Sequence, residues 1–145
     1  MQRDFLGAGG RPPHPSWPND ARLAVSFVVN VEEGAELSIS LGDERNEAVY
    51  DIVEEVLDAP DPAKDTHFEY GSRAGYWRIM DEFDRHGFKA QMNCCARALK
   101  LSPWVARDAV ARGHEIGCHS YRWEHHAGMA EAEERQLIAR AVQDI

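Results

Sequence analysis

Residues 114–126 read HEIGCHSYRWEHH. Ile116, Gly117 and Cys118 make a short apolar stretch that runs directly into His119, with polar and aromatic side chains crowded behind it. That is the pattern of a buried strand delivering a histidine to the rim of a site. A histidine so placed serves as metal ligand, proton carrier or donor to a substrate.

Upstream, residues 22–31 (RLAVSFVVNV) form a nearly continuous apolar, β-branched run, expected to be a parallel central strand buried on both faces. The polar segment 32–46 reads as a loop. Residues 47–58 (EAVYDIVEEVLD) then place Val49, Ile52, Val53, Val56 and Leu57 at helical spacing, and Pro60 and Pro62 close that expected helix. A second loop is expected over 64–75 (KDTHFEYGSRAG). It leads into a helix over 76–87, where Trp77, Ile79, Met80 and Phe83 make an apolar face and Gly87 suits the C′ position.

In residues 88–96 (FKAQMNCCA), Phe88, Ala90, Met92 and Cys94 alternate with polar neighbours, as in a strand. Ser102 and Pro103 open a helix that stops at Gly113. Residues 130–145 give a last helix with Ile138, Ala141, Val142 and Ile145 on one face. Strand, helices, strand, helix, strand, helix is the order of an α/β fold with parallel strands and flanking helices. Residues 1–20, rich in Gly and Pro, read as an irregular arm, and 21–145 as the folded part. The last helix carries an apolar stripe that wants a following partner, and the strands are few for a covered parallel sheet. The sequence therefore reads as a fragment, or as a half completed by another chain.

The chain has 145 residues, 43% hydrophobic and 28% charged, which fits a folded globular domain. Its net charge of −9, with no Lys/Arg cluster, argues against nucleic acid and anionic membrane as partners. No apolar run has the length of a membrane span, and the N-terminus lacks the pattern of a secretory signal. Cys94, Cys95 and Cys118 are odd in number and sit in apolar surroundings, so they read as reduced core residues of a cytoplasmic protein. His14, His114, His125 and His126 read as surface groups.

In parallel α/β folds, ligands bind beyond the carboxyl ends of the strands. The first end offers Asn30, Glu32 and Glu33, the second Asn93, Cys94 and Cys95, and the third His119 to Trp123. A carboxylate pair and an imidazole on one face can do acid–base chemistry or hold a metal. Glu32 and Glu33 equally suit solvated or capping positions, and His119 a core position bonded to a carbonyl. Arg73, between Gly71 and Gly75, suits a fork onto a substrate or an internal salt bridge.

ARLAVSFVVNVEEGAE (21–36), EYGSRAGYWRI (69–79) and GHEIGCHSYRW (113–123), with the lead-in RDFLGAGGRPPHPSWP (3–18), resemble the polysaccharide deacetylase superfamily. The resemblance to this NodB-homology fold is nearest in the allantoinase-like, urate-catabolism branch that also holds cyclic-imide hydrolases. It implies a partial distorted (β/α) barrel, about half of one by length, and hydrolysis of a carbon–nitrogen bond in a small amide or cyclic amide. It also implies an Asp-x-Asp strand end and a His-x-x-x-His segment that hold a divalent metal. Here those positions are Asn30 and Glu32, and His119 and Trp123. The usual base and one metal ligand are therefore replaced, which leaves Glu32 and His119 with at most a weakly held Zn, or none.

On this reading Glu32, Glu33 and His119 are the catalytic candidates, and Asn30, Arg73, Tyr121, Arg122 and Trp123 the substrate-binding ones. A metal-dependent N-deacetylase with His125 as third ligand is one alternative. A non-catalytic subunit, oligomeric or paired with a chain that supplies the rest of the barrel, is the other.

Overall fold

The computed structural model describes residues 3, 5, 7–49 and 54–145. It contains a three-stranded parallel sheet, β1 (Phe27–Val31), β2 (Ala90–Cys94) and β3 (Glu115–Cys118), in the order β1-β2-β3. Between β1 and β2 lie α1 (Pro62–Tyr70) and α2 (Tyr76–His86). Between β2 and β3 lie α3 (Ala96–Leu101) and α4 (Pro103–Ala111), and α5 (Glu131–Asp144) follows. The α/β class and the open, partial barrel read from the sequence are what the structure shows. Among the described residues no helix is long and apolar enough to cross a membrane.

The side-chain period of two divides the sheet into unlike faces. Phe27, Val29 and Val31 align with Ala90, Met92 and Cys94, and these face the helices. Met92 and Cys94 are wholly buried there against a core that includes Tyr76, Met80, Val105 and Ala109. Val28, Asn30, Gln91, Asn93, Glu115 and Gly117 share the other face, which no helix among the described residues covers. Among the described residues β2 is the central strand and β1 lies on a rim, with Val28 51% exposed. It is also shorter than the apolar run, since Leu23 and Val25 stand in solvent ahead of it.

Two helical readings change. Ile52 and Val53 lie outside the described residues, and the described flanks of the expected helix, 47–49 and 54–58, are not helical. Asn46 anchors the later flank. It is buried, and its side-chain amide donates to the carbonyls of Val56 (2.6 Å) and Ala59 (2.7 Å), while its N–H bonds Leu57 O. The expected loop over 64–75 is instead helix. Asp61 caps α1 by accepting from Ala63 N and Lys64 N, Pro62 takes the first turn, and a π-type turn (Gly71–Gly75) joins α1 to α2. Ser102 precedes Pro103 of α4 as expected but makes no capping bond.

The long segment after β1 is fastened by Asp43. Arg97 of α3 binds both carboxylate oxygens (2.7 and 3.1 Å), and Arg122, beyond β3, adds a third contact at 3.2 Å. The side chains of Asp43 and Arg97 are each 13% exposed. Burial alone would raise the Asp43 carboxyl, but the Arg97 bond, the Ser38 N–H and the two guanidinium charges outweigh it and hold the group below its usual range. Its stabilisation is therefore complete above the unfolded pKa near ~3.9 and drains away as pH falls through the lower folded value. Asp43→Asn should cost about 2–4 kcal/mol at pH 7. In urea titrations run at several pH values, the gap between the variant and the native chain should close below about pH 4.

Candidate functional site

The strand ends are level: Val31, Cys94 and Cys118 are register partners. Cys95 N–H bonds Val31 O (3.0 Å) and His119 N–H bonds Cys94 O (2.9 Å), so the ladder extends one step further. That step sets Glu32 and His119 on either side of Cys95, with the parity of the open face. Their side chains meet, His119 Nε2 lying 2.7 Å from Glu32 Oε1, with exposures of 44% and 27%. The two residues expected to share the carboxyl ends of the sheet are thus in direct contact.

Beneath the pair the open face carries amides. Asn30 and Asn93 are register partners, and Gln91 Nε2 donates to Asn93 Oδ1 at 3.0 Å. The glycine of HEIGC has a steric reason here. A Cβ on Gly117 would lie 2.7 Å from Gln91 Nε2 and 2.9 Å from Asn93 Oδ1. In the sequence Gln91 and Asn93 are polar members of an alternating strand, and neither is among the site candidates. Strand alternation in FKAQMNCC was the signal that puts both amides on one face. Cys95 closes the floor as a neutral group. Its Sγ–H donates to His119 O, and burial, with the charge of Glu32 next, pushes the thiol up to about 12. Such a thiol is no nucleophile near neutral pH.

The remaining candidates lie elsewhere. Glu33 has the opposite parity. Its Oε2 accepts from Glu32 N–H (3.3 Å), and its other oxygen occupies the place where Gly71 would carry a Cβ, 1.5 Å away. It lines cavities of about 390 and 170 Å³ on the helix side, whose walls include neither Glu32 nor His119. Arg73 lies on the helical turn and pairs with Glu69 at 2.6 Å in solvent. Arg122 is held by Glu124 (2.8 Å) and Asp43. Tyr121 is buried; its hydroxyl accepts from Arg140, whose guanidinium lies 3.8 Å over the ring. Trp123 packs edge-on against Phe68, and its backbone N–H bonds Ala35 O. All four are held by partners within the fold, and for Arg73 that is the internal salt bridge its sequence equally suited. Asn30 alone of the proposed binding residues stands beside the Glu32–His119 pair.

Three other groups depart from their sequence reading. His114 is buried and accepts from Ala90 N (3.1 Å). His126 is bonded to Ser120 and Glu134 rather than free. Cys118 is exposed, whereas Cys94 and Cys95 are buried as expected.

Residues 61–145 match the family described as polysaccharide deacetylase. The chain belongs to that family. It is 37% identical, over 153 aligned residues, to a putative polysaccharide deacetylase of Schizosaccharomyces pombe, with 99% of this chain and 46% of that protein covered. Crystal structures of Puue allantoinase (40% identity, TM-score 0.85) and of a probable polysaccharide deacetylase from Pseudomonas aeruginosa PAO1 (39%, 0.87) superpose on 99% of it. The matched parts are 48% and 49% of those chains, so this chain spans about half the length of its relatives. A putative polysaccharide deacetylase from Mycobacterium smegmatis, at 21% identity and TM-score 0.70, shares the fold.

The resemblance implies a divalent metal, and the donors can be tested against it. Catalytic zinc takes three protein ligands. Glu32 and His119 supply two, and no third His, Cys, Asp or Glu joins them among the described residues. Trp123 stands at the expected second histidine, and His126 has both ring nitrogens engaged by Ser120 and Glu134. The described donors do not make up a three-ligand centre.

Gly71→Ala tests the placement of Glu33. The methyl must evict the carboxylate end, while alanine favours a helix by up to about 1 kcal/mol. Stability measured by thermal melting should change by less than about 1 kcal/mol, and a crystal structure of the variant should show Glu33 turned away from position 71.

Proposed function

We propose that the chain carries half of the active site of a carbon–nitrogen hydrolase acting on a small linear or cyclic amide, of the allantoinase or cyclic-imide type. The observation that carries this is the 2.7 Å contact between His119 and Glu32 at aligned strand ends, in a chain 40% identical to Puue allantoinase. A carboxylate–imidazole pair takes a proton from an attacking water and returns it to the leaving nitrogen. Glu32 orients the ring through Nε2–H, and Nδ1 is then the nitrogen that takes the proton from water and returns it to the leaving nitrogen. The carboxamides of Asn30 and Asn93, on the same face, supply donors for the oxyanion that forms at the attacked carbonyl.

The bare face of the sheet supports a second part of this reading: further barrel strands, in a longer chain or a partner chain, close the site. With half the walls, the pair stands open to water, and neither shape selection nor a dry environment is available.

Hydrolysis of allantoin and of a simple cyclic imide tests both parts. Any protein that joins this segment to the remaining strands should turn over one of them. Glu32→Gln and His119→Ala should each lower kcat by about 10²–10⁴; unchanged turnover in either rules out the assignment. Robust turnover by the 145-residue chain alone would overturn the need for further strands. Activity retained in chelator supports the amidase reading. Loss on chelation, with recovery on adding zinc, would favour a metal-dependent N-deacetylase instead.

A further inference from the structure

One residue beyond His119 the chain makes a sharp turn. Ser120 has φ +66°, a left-handed conformation rare for a residue with a Cβ. The turn is pinned by the start of α3, where Ala96 N–H bonds Ser120 O (3.1 Å) and Arg97 N–H bonds Tyr121 O (2.9 Å). Backbone strain held in place by neighbouring structure is a mark of functional positions.

The Ser120 hydroxyl is 3.3 Å from His126 Nε2. The other nitrogen of that ring, Nδ1, is 2.9 Å from Glu134 Oε1 in the first turn of α5. Met129 N–H bonds His126 O and closes the turn that presents the ring. Hydroxyl, imidazole and carboxylate thus stand in sequence, as a nucleophile, its base and the group that orients the base. None of the three takes part in the Glu32–His119 contact. The Tyr121 N–H has no partner among the described residues. In a serine set on a strand-end turn, the amide of the next residue is the one placed to receive an oxyanion.

We propose that Ser120, His126 and Glu134 form a second, serine-based acyl-transfer centre that cleaves small oxygen esters. Ser120 Oγ attacks the ester carbonyl carbon while its proton passes to His126 Nε2, and Glu134 steadies the imidazolium through Nδ1–H. The carbon–oxygen bond to the alcohol breaks, and the alcohol leaves with the proton from His126. Water, giving a proton to His126, then attacks the acyl-serine. The bond to Oγ breaks, the carboxylic acid is released and the Ser120 hydroxyl is restored. The substrate is short because the site is shallow: His126 and Glu134 are 33% and 42% exposed, and none of the cavities described above is lined by the three residues.

The test is covalent capture by a fluorophosphonate probe, with the modified peptide mapped by mass spectrometry, alongside p-nitrophenyl acetate hydrolysis. The label should fall on Ser120. His126→Ala should slow labelling about 100-fold and Glu134→Gln about 10-fold. Ser120→Gly, which suits the left-handed backbone and keeps the turn, should abolish both the label and the ester hydrolysis. Circular dichroism establishes that each variant is folded. A folded native chain that takes no label overturns the proposal. So does labelling that persists unchanged in His126→Ala, or ester hydrolysis that survives Ser120→Gly.

Discussion

The ion cluster around Asp43 is the constraint on which the site rests. The segment after β1 and the segment after β3 are both irregular, and neither has a sheet or a long helix of its own to hold it. Arg97 and Arg122 grip one carboxylate from two directions, so both segments share an anchor on α3. Glu32 leaves β1 into the first and His119 leaves β3 into the second. Their 2.7 Å contact depends on two strand ends being level and on both exits being held at the same height. A buried ion pair contributes little net stability compared with apolar packing, but its loss leaves charges stranded. Its value here is geometric.

Chemistry and packing divide the sheet between them. The helix side is a core built on Met80, Met92 and Val105. The other side carries amides, a carboxylate and an imidazole. Cys95 lies at the seam, neutral and bonded to the backbone, and it brings no charge to compete with Glu32. The Glu32–His119 pair and the carboxamides of Asn30, Gln91 and Asn93 lie together on this surface. Asn30 and Trp123 stand where the family resemblance implies an aspartate and a histidine, and the described donors do not make up a three-ligand centre.

Much of this was readable from the residues. HEIGCHS announced a strand end with a histidine, RLAVSFVVNVEE a second with carboxylates, and their union follows from parallel topology. What escaped was set by long-range partners that leave no local trace. Glycines 71 and 75 punctuate the sequence like a loop, yet Gly71 is there because Glu33, far off in the chain, occupies its side-chain space. The periodic run at 47–58 reads as helix, yet its described flanks are not helical, and Asn46 bonds the carbonyl of Val56 in the later one. Tyr121 and Arg122 look like rim residues until Arg140 and Asp43 are seen to hold them. Residue type told what each group is able to do, and only the fold told which were already engaged.

The sheet order has a colloidal consequence. β2 is paired on both sides, but β1 and β3 each present one row of backbone N–H and C=O groups outward among the described residues. Such a rim is a template for another strand, and natural sheets blunt it with charge, proline or a bulge. β3 carries Glu115 as a guard. β1, FVVNV, carries no charge and no proline, and it is flat enough to keep an unbroken register with β2 over all five of its residues. Self-association of the segment described here would therefore begin along β1, and a lysine at exposed Val28 is the substitution that would keep concentrated solutions clear.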